Sequence, residues 1–308
     1  MTNVSVIGAG AIGAYYIWGM YDRENIDLSV IAEGDRKKKL ENEGLTINGR
    51  QYRLTVRTPE EQRQHGTDLV LVCVKYGALR GILPAVKTIT EDKTIVMSPM
   101  NGIDSEEIIG EAVGKEHMVG SFMRIASERT GQNVSFDPAR TDGIFFGKLP
   151  DGAPEEAVQR AARIFDGTGV NYHLSGTIVH DIWDKYMRNI CFNLPQAILD
   201  VGVGAFYESE HVLWMSKALE EEVRLVAAVE GIELAPLERK RRDRKKAAFS
   251  TLQDIRAKRH TEVEMFAGTL IRTAKKHGIQ VPCTEYTYHA IRALEEKNDG
   301  KFDYTDEE

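Results

Sequence analysis

The stretch Val4-Ser5-Val6-Ile7-Gly8-Ala9-Gly10-Ala11-Ile12-Gly13 decides the fold. A short β-branched run reads as a strand, and Ala11 to about Tyr21 reads as a helix. The turn between them matches G-x-G-x-x-G in the one context that gives this pattern meaning. Gly8 permits the tight turn, Gly10 lets a pyrophosphate approach the backbone, and Gly13 lets the helix pack on its strand. The first helical turn then offers unbonded amides and a positive dipole end to phosphate. Glu33 follows about 20 residues on, at the end of a second strand, where a carboxylate accepts hydrogen bonds from an adenine ribose.

Outward from this turn, strands alternate with helices: Asn3 to Ile7, Leu28 to Ala32, Leu69 to Val74 and Thr94 to Met97, with a helix over Arg36 to Glu43. Val134 to Phe136 and Gly143 to Gly147 read as further strands. Alternation of this kind predicts an α/β domain, a Rossmann-type doubly wound parallel sheet covered on both faces. The pattern then changes. Helices are expected over His180 to Asn193, Ser209 to Glu230, Leu237 to Ala247, Thr261 to His277 and Thr284 to Glu296, with Gly231 and Gly278 as stops. The expected organisation is a dinucleotide-binding domain over residues 1–175 and an all-helical domain over residues 176–308. A chain of 308 residues suits two cores.

The helix over His180 to Asn193 carries Lys185, Asn189 and Asn193, spaced four apart along one side. At about 100° per residue the two asparagines fall within the arc of Ile182, Tyr186 and Ile190. A buried amide left without a partner costs about 1–3 kcal/mol. Either the arc lines a polar cleft and the amides meet a ligand, or the amides tie down loops; both readings stand at this point.

Composition bounds the rest. Hydrophobic content of 42% and charged content of 28% are globular. A net charge of −7 disfavours nucleic acid as a partner. The basic run Arg239 to Lys246 reads as the solvated face of an amphipathic helix. No apolar run approaches the roughly 18 residues that span a bilayer, and no signal peptide is apparent. The three cysteines, Cys73, Cys191 and Cys283, form no disulfide framework and are expected to act as small buried hydrophobes in a cytoplasmic, reduced chain. No metal-ligand spacing occurs among His173, His180, His260 and Cys73, so no metal is expected. Trp214 and Met215 are expected in the core.

The set Trp183-Asp184-Lys185 with Asn189 and Asn193 resembles the ketopantoate reductase family. Three further blocks support the resemblance: Phe249 to Ile255 followed by His260 to Glu264, Val74-Lys75 at the end of a strand, and Asn101-Gly102 after the next one. The resemblance implies a site in a cleft between a Rossmann domain and a helical domain. It implies reduction of 2-dehydropantoate to (R)-pantoate with NADPH, on the way to pantothenate and coenzyme A. By position it makes Lys185 the proton donor, with Glu262 as a second catalytic group holding Lys185 charged and aimed. Substrate contacts would come from Asn101, Lys185, Asn189, Asn193 and Ser250. Cofactor contacts would come from Gly8, Ala9, Gly10, Ala11, Ile12, Gly13, Lys75, Asn101, Ala126 and Glu262.

The sequence departs from the family in three places. Glu33 stands where a base often binds the 2′-phosphate of NADPH, which favours NADH unless Arg36, Lys37 and Lys38 compensate. Met100 and Ile103-Asp104 flank Asn101-Gly102 where glutamine and a second glycine are usual. Val203 replaces an asparagine that some members use for substrate. A paralogous reductase of another small keto acid and a non-catalytic dinucleotide-binding module remain alternatives, and a homodimer is an open expectation.

Overall fold

The computed structural model describes residues 1–239 and 244–304. By contacts the chain divides into two units, residues 1–100 with 104–179, and residues 101–103 with 180–308. The expected boundary after residue 175 falls four residues short of this one, and the grouping of Asn101–Ile103 with the second unit has no counterpart in the sequence reading.

The first unit holds twelve strands: β1 (Thr2–Ile7), β2 (Ile26–Ile31), β3 (Leu45–Ile47), β4 (Arg50–Tyr52), β5 (Val56–Arg57), β6 (Leu69–Val72), β7 (Ile95–Met97), β8 (Met118–Arg124), β9 (Ser127–Thr130), β10 (Asn133–Phe136), β11 (Gly143–Gly147) and β12 (Tyr172–Leu174). Its helices are α1 (Ala11–Met20), α2 (Gly34–Glu43), α3 (Pro59–His65), α4 (Tyr76–Ile89), α5 (Ser105–Val113) and α6 (Glu155–Phe165). The main sheet runs β12-β11-β8-β7-β6-β1-β2-β5. The six strands from β8 to β5 are all parallel and have the order of a doubly wound dinucleotide-binding sheet. The sheet is mixed rather than wholly parallel, because β11 runs antiparallel to β8 and carries β12 with it. A second sheet, β4-β3-β10-β9, takes Val134–Phe136 away from the main one.

The central strands are buried on both faces, which explains their continuous apolar runs. Ser5 and Ser29 are the exception. They stand opposite each other in the β1–β2 register, and the Ser29 hydroxyl donates to Gln62 Oε1 at 2.8 Å. The α1 face of the sheet is closed by Tyr15, Tyr16 and Ile17, all fully buried against Phe136 and Phe165.

One buried carboxyl gives this unit a pH signature. Glu106 in the first turn of α5 accepts from Ser105 Oγ at 2.8 Å and from the Ser121 amide at 3.4 Å. Burial outweighs these bonds and pushes its pKa from 4.5 up to about 7. Folding therefore takes up a proton between those values. The stability tied to that proton is fully present below pH 4.5 and is lost as pH rises through 7. Glu106→Gln should unfold near the parent temperature at pH 4.5, yet gain about 3 kcal/mol over the parent at pH 8. Thermal melts of both proteins across that range read the difference directly.

The second unit is helical: α7 (Ile178–Arg188), α8 (Leu194–Leu199), α9 (Ala205–Glu208), α10 (Glu210–Val229), α11 (Ser250–Arg256), α12 (Thr269–Lys276) and α13 (Pro282–Asn298). Helices α10 and α12 end as expected at Gly231 and Gly278, both with positive φ. The amide of the following isoleucine reaches back five residues in each case, Ile232 to Ala227 and Ile279 to Ala274. No helix among the described residues is long and apolar enough to cross a membrane.

Three expectations fail here. The helix over Leu237 to Ala247 is absent from its described residues, and Lys240 to Asp243 lie outside them. Instead the Ala247 amide closes a turn onto the Arg244 carbonyl, and the carbonyls of Lys245 and Ala247 accept from the Gly204 and Val203 amides. Arg239, expected on a solvated face, forms a buried ion pair with Glu220 at 2.5 Å, because Glu220 points into the packed side of α10. Trp214 is 67% exposed rather than in the core. The buried stripe of α10 runs through Val212, Leu219, Val223 and Val226, and Trp214 lies about 200° around the helix from Val212. Cys73 and Cys191 are buried as expected, whereas Cys283 at the exposed start of α13 is only partly so.

Candidate active site

The glycine turn follows β1 at the point where strand order reverses, between β1 and β6, so the carboxyl ends of these strands form the crevice that such sheets use for ligands. The three glycines have separate reasons. Gly8 has φ +99°, and a Cβ there would stand 2.6 Å from the Cys73 carbonyl oxygen. A Cβ on Gly13 would collide with the Gly8 carbonyl oxygen. Gly10 is different: its Cβ would meet only Arg129 Nη1 at 3.5 Å and Cys73 O at 3.8 Å, ordinary contacts. The fold does not require glycine at position 10, whereas a phosphate lying on the backbone does. That open cradle fits a dinucleotide.

A cavity of about 290 Å³ lies beside the turn, lined by Gly8, Ala9, Glu33, Arg36, Val74 and Ile82 among others. Glu33 is the N-cap of α2 and exposed. Of the three bases that follow it, only Arg36 lines the cavity. Lys37 is taken by Glu61 at 2.5 Å, and Lys38 is an exposed partner of Asp35 at 3.9 Å. Ala11, Ile12 and Gly13 form the first turn of α1, whose amides are those left free at a helix start. Lys75 caps α4, and Ala126 is exposed in the link between β8 and β9.

The other predicted residues gather in the second unit. Lys185 Nζ on α7 donates to Asn101 Oδ1 at 2.6 Å, with both groups part-buried. Asn101 follows β7 in the chain but belongs by contacts to this unit. After Arg188 the helix opens into a π-turn, Asn189–Asn193, before α8. The four-residue spacing was read at the α-helical step. In the looser π-turn Asn193 moves off that projection and is 4% exposed, while Asn189 is half-buried. The Asn189 amide nitrogen is buried with no hydrogen-bond partner, so of the two readings of this arc it favours a ligand over a loop tie. Such π-turns recur at functional sites. A second π-turn, Glu264–Gly268, touches the first, and Tyr186 Oη donates to the Phe266 carbonyl at 2.5 Å. Glu262 is half-buried just before that helix.

Ser250 is the exposed first residue of α11, with Phe249 rather than Ser250 at the N-cap. Its position depends on a residue the sequence reading missed. Fully buried Gln196 on α8 donates to the Ala247 carbonyl at 3.0 Å and accepts from the Phe249 amide at 2.7 Å. The signal was present as an amide amid Leu194, Pro195 and Ala197. Beside Ser250, the Thr251 hydroxyl is buried and unpartnered. Val203 is 2% exposed, a packed side chain rather than a ligand-facing group.

The sequence profile described as ketopantoate reductase PanE/ApbA matches residues 4–150, and its C-terminal companion matches residues 177–295. The chain belongs to the ketopantoate reductase family. It is thereby an oxidoreductase with a dinucleotide-binding fold. It is 26% identical to the 2-dehydropantoate 2-reductase of Pyrococcus horikoshii over 97% of this chain and 99% of that protein. Among solved structures, a PanE/ApbA family ketopantoate reductase from Ralstonia eutropha JMP134 superposes with a TM-score of 0.80, at 24% identity over 97% of this chain and 100% of that one. D-mandelate dehydrogenase, solved with NADH and anilino(oxo)acetate, superposes with a TM-score of 0.82, also at 24% identity, over 97% of this chain and 99% of that one. At this identity the superpositions speak for the fold alone.

Proposed function

We propose that the protein reduces 2-dehydropantoate to (R)-pantoate with a nicotinamide cofactor, in the synthesis of pantothenate and coenzyme A. The observation that carries this reading is the Lys185–Asn101 hydrogen bond at 2.6 Å, one helical turn from the unpartnered Asn189 amide. When bound, the nicotinamide supplies the hydride that reduces the keto carbon. The chain does the rest. As the ketone becomes an alcohol, negative charge develops on its oxygen, and the Lys185 ammonium stabilises that charge and donates the proton. Asn101 accepts from Lys185 and aims it. The amides of Asn189 and Asn193 and the Ser250 hydroxyl bind the substrate carboxylate and hydroxyl without adding charge, and Glu262 keeps Lys185 protonated.

A second reading, another small 2-oxo acid, is favoured by Val203, which is packed away where some family members offer an amide. On the cofactor, exposed Glu33 favours NADH, and Arg36 is the one base placed to favour NADPH. Steady-state kinetics with 2-dehydropantoate and a panel of 2-oxo acids, each with NADPH and NADH, tests both points. The first reading expects kcat/KM for 2-dehydropantoate to exceed that for every other acid by at least about tenfold. A higher value for another acid replaces it with the second reading, and no oxidation of either cofactor by any acid refutes both.

A further inference from the structure

We propose that Arg129, on the hairpin of the second sheet, is a cofactor-binding residue that clasps the dinucleotide pyrophosphate against the Gly10 backbone. The proposal rests on the dinucleotide reading above and goes beyond it, because no motif marks this arginine.

The guanidinium is built into place. Strands β9 and β10 pair antiparallel around a tight turn at Gly131-Gln132, with Arg129 opposite Val134. The hairpin is tied to its neighbour: β10 runs parallel to β3, the Thr46 amide donates to the Gln132 carbonyl, and Gln132 Nε2 donates to the Gly44 carbonyl at 3.2 Å. Arg129 is fastened to that frame by two of its arms. Its Nε donates to the Gly131 carbonyl at 2.9 Å, and its Nη2 donates to Gln132 Oε1 at 3.4 Å. The third arm, Nη1, is the nearest atom to the place a Gly10 Cβ would occupy, at 3.5 Å. The side chain thus spans from one sheet to the phosphate turn of the other, with a donor over the one glycine of that turn that the fold itself does not require.

The charges point the same way. Arg129 still reaches solvent, yet partial burial, and then the nearby Arg36, hold its pKa below the ordinary arginine value. The two cations repel each other, and a doubly charged pyrophosphate held by Arg129 relieves that repulsion. Their duties differ. Nη1 stands over Gly10, where the pyrophosphate meets the backbone, whereas Arg36 lines the cavity with Glu33, toward the ribose end. Arg129 therefore serves NADH and NADPH alike.

The test is equilibrium binding of NADH and of NADPH, by calorimetric titration without substrate, to the parent protein, Arg129→Gln and Arg129→Lys. Loss of a hydrogen bond to a charged group predicts that Arg129→Gln weakens both cofactors by a similar factor, about 10- to 100-fold. Arg129→Lys should recover a large part of that loss for both, since it restores the charge without the fork. The melting temperature without cofactor should stay near the parent value, because the two hydrogen bonds that the side chain makes lie exposed to solvent. Unchanged affinity for both cofactors overturns the proposal, as does a loss confined to NADPH, which would place Arg129 on the 2′-phosphate. Failure of the parent protein to bind either dinucleotide refutes instead the reading on which the proposal stands.

Discussion

Lys185→Ala is expected to lower kcat by about 10²- to 10⁴-fold while leaving cofactor affinity near the parent value. The reasoning is local. The ammonium is the proton donor of the proposed reaction, and it is held part-buried on α7 by Asn101 at 2.6 Å. Phosphate binding depends on the glycine turn of the other unit, so the Kd for the cofactor has no reason to change. Lys185→Arg sharpens the result. It retains the positive charge, but a guanidinium does not release its proton at neutral pH. The arginine variant should therefore stay severely impaired in kcat. Steady-state kinetics with separate cofactor titrations gives both quantities. A kcat within about threefold of the parent in the alanine variant would remove Lys185 from the mechanism.

The second large effect is a contrast within the glycine turn. Gly13→Ala places a methyl group against the Gly8 carbonyl oxygen and 3.1 Å from its carbon, both backbone atoms that cannot swing aside. Overpacking of this kind costs about 1–3 kcal/mol. In a unit of this size that corresponds to a fall of about 3–10 °C in melting temperature without cofactor. Gly10→Ala meets nothing closer than 3.5 Å, so its melting temperature should match the parent. Its cofactor affinity should nevertheless fall at least about tenfold, since the added methyl fills the space of the pyrophosphate. Melting and titration of the two variants side by side separate a glycine needed for packing from one needed for binding. If Gly10→Ala bound the cofactor as tightly as the parent, the turn would not be the phosphate site.

Much of this was legible in the sequence because sterics and chemistry coincide on the same residues. Gly8, Gly10 and Gly13 announce a turn, a close helix–strand contact and an anion cradle within six positions. The C-terminal stops at Gly231 and Gly278 were readable because a positive φ favours glycine. The second sheet was mostly hidden. Its strands Arg50–Tyr52 and Ser127–Thr130 are short and mostly polar and exposed, Tyr52 apart, and neither shows the alternation that marks a half-buried strand. Arg129 was invisible with them, since its placement over Gly10 depends on a pairing between residues distant in sequence. The π-turn at Asn189–Asn193 escaped because an assumed helical step cannot reveal its own interruption. The basic segment after Leu237 mimics an amphipathic helix in composition, yet its end forms a turn held by backbone bonds from Val203 and Gly204.

The central claim is that hydride passes from a nicotinamide to the carbon of a 2-oxo acid held by the Lys185 group. Single-turnover reaction of the protein with cofactor deuterated at the transferable nicotinamide position, followed by mass spectrometry of the acid product, tests it most directly. With 2-dehydropantoate or the best acid of the panel, the account predicts one deuterium at the carbon that bears the new hydroxyl, with formation slowed at least about a hundredfold in Lys185→Ala. A product lacking that deuterium, or a label retained by a bound cofactor in the presence of every acid, would contradict it.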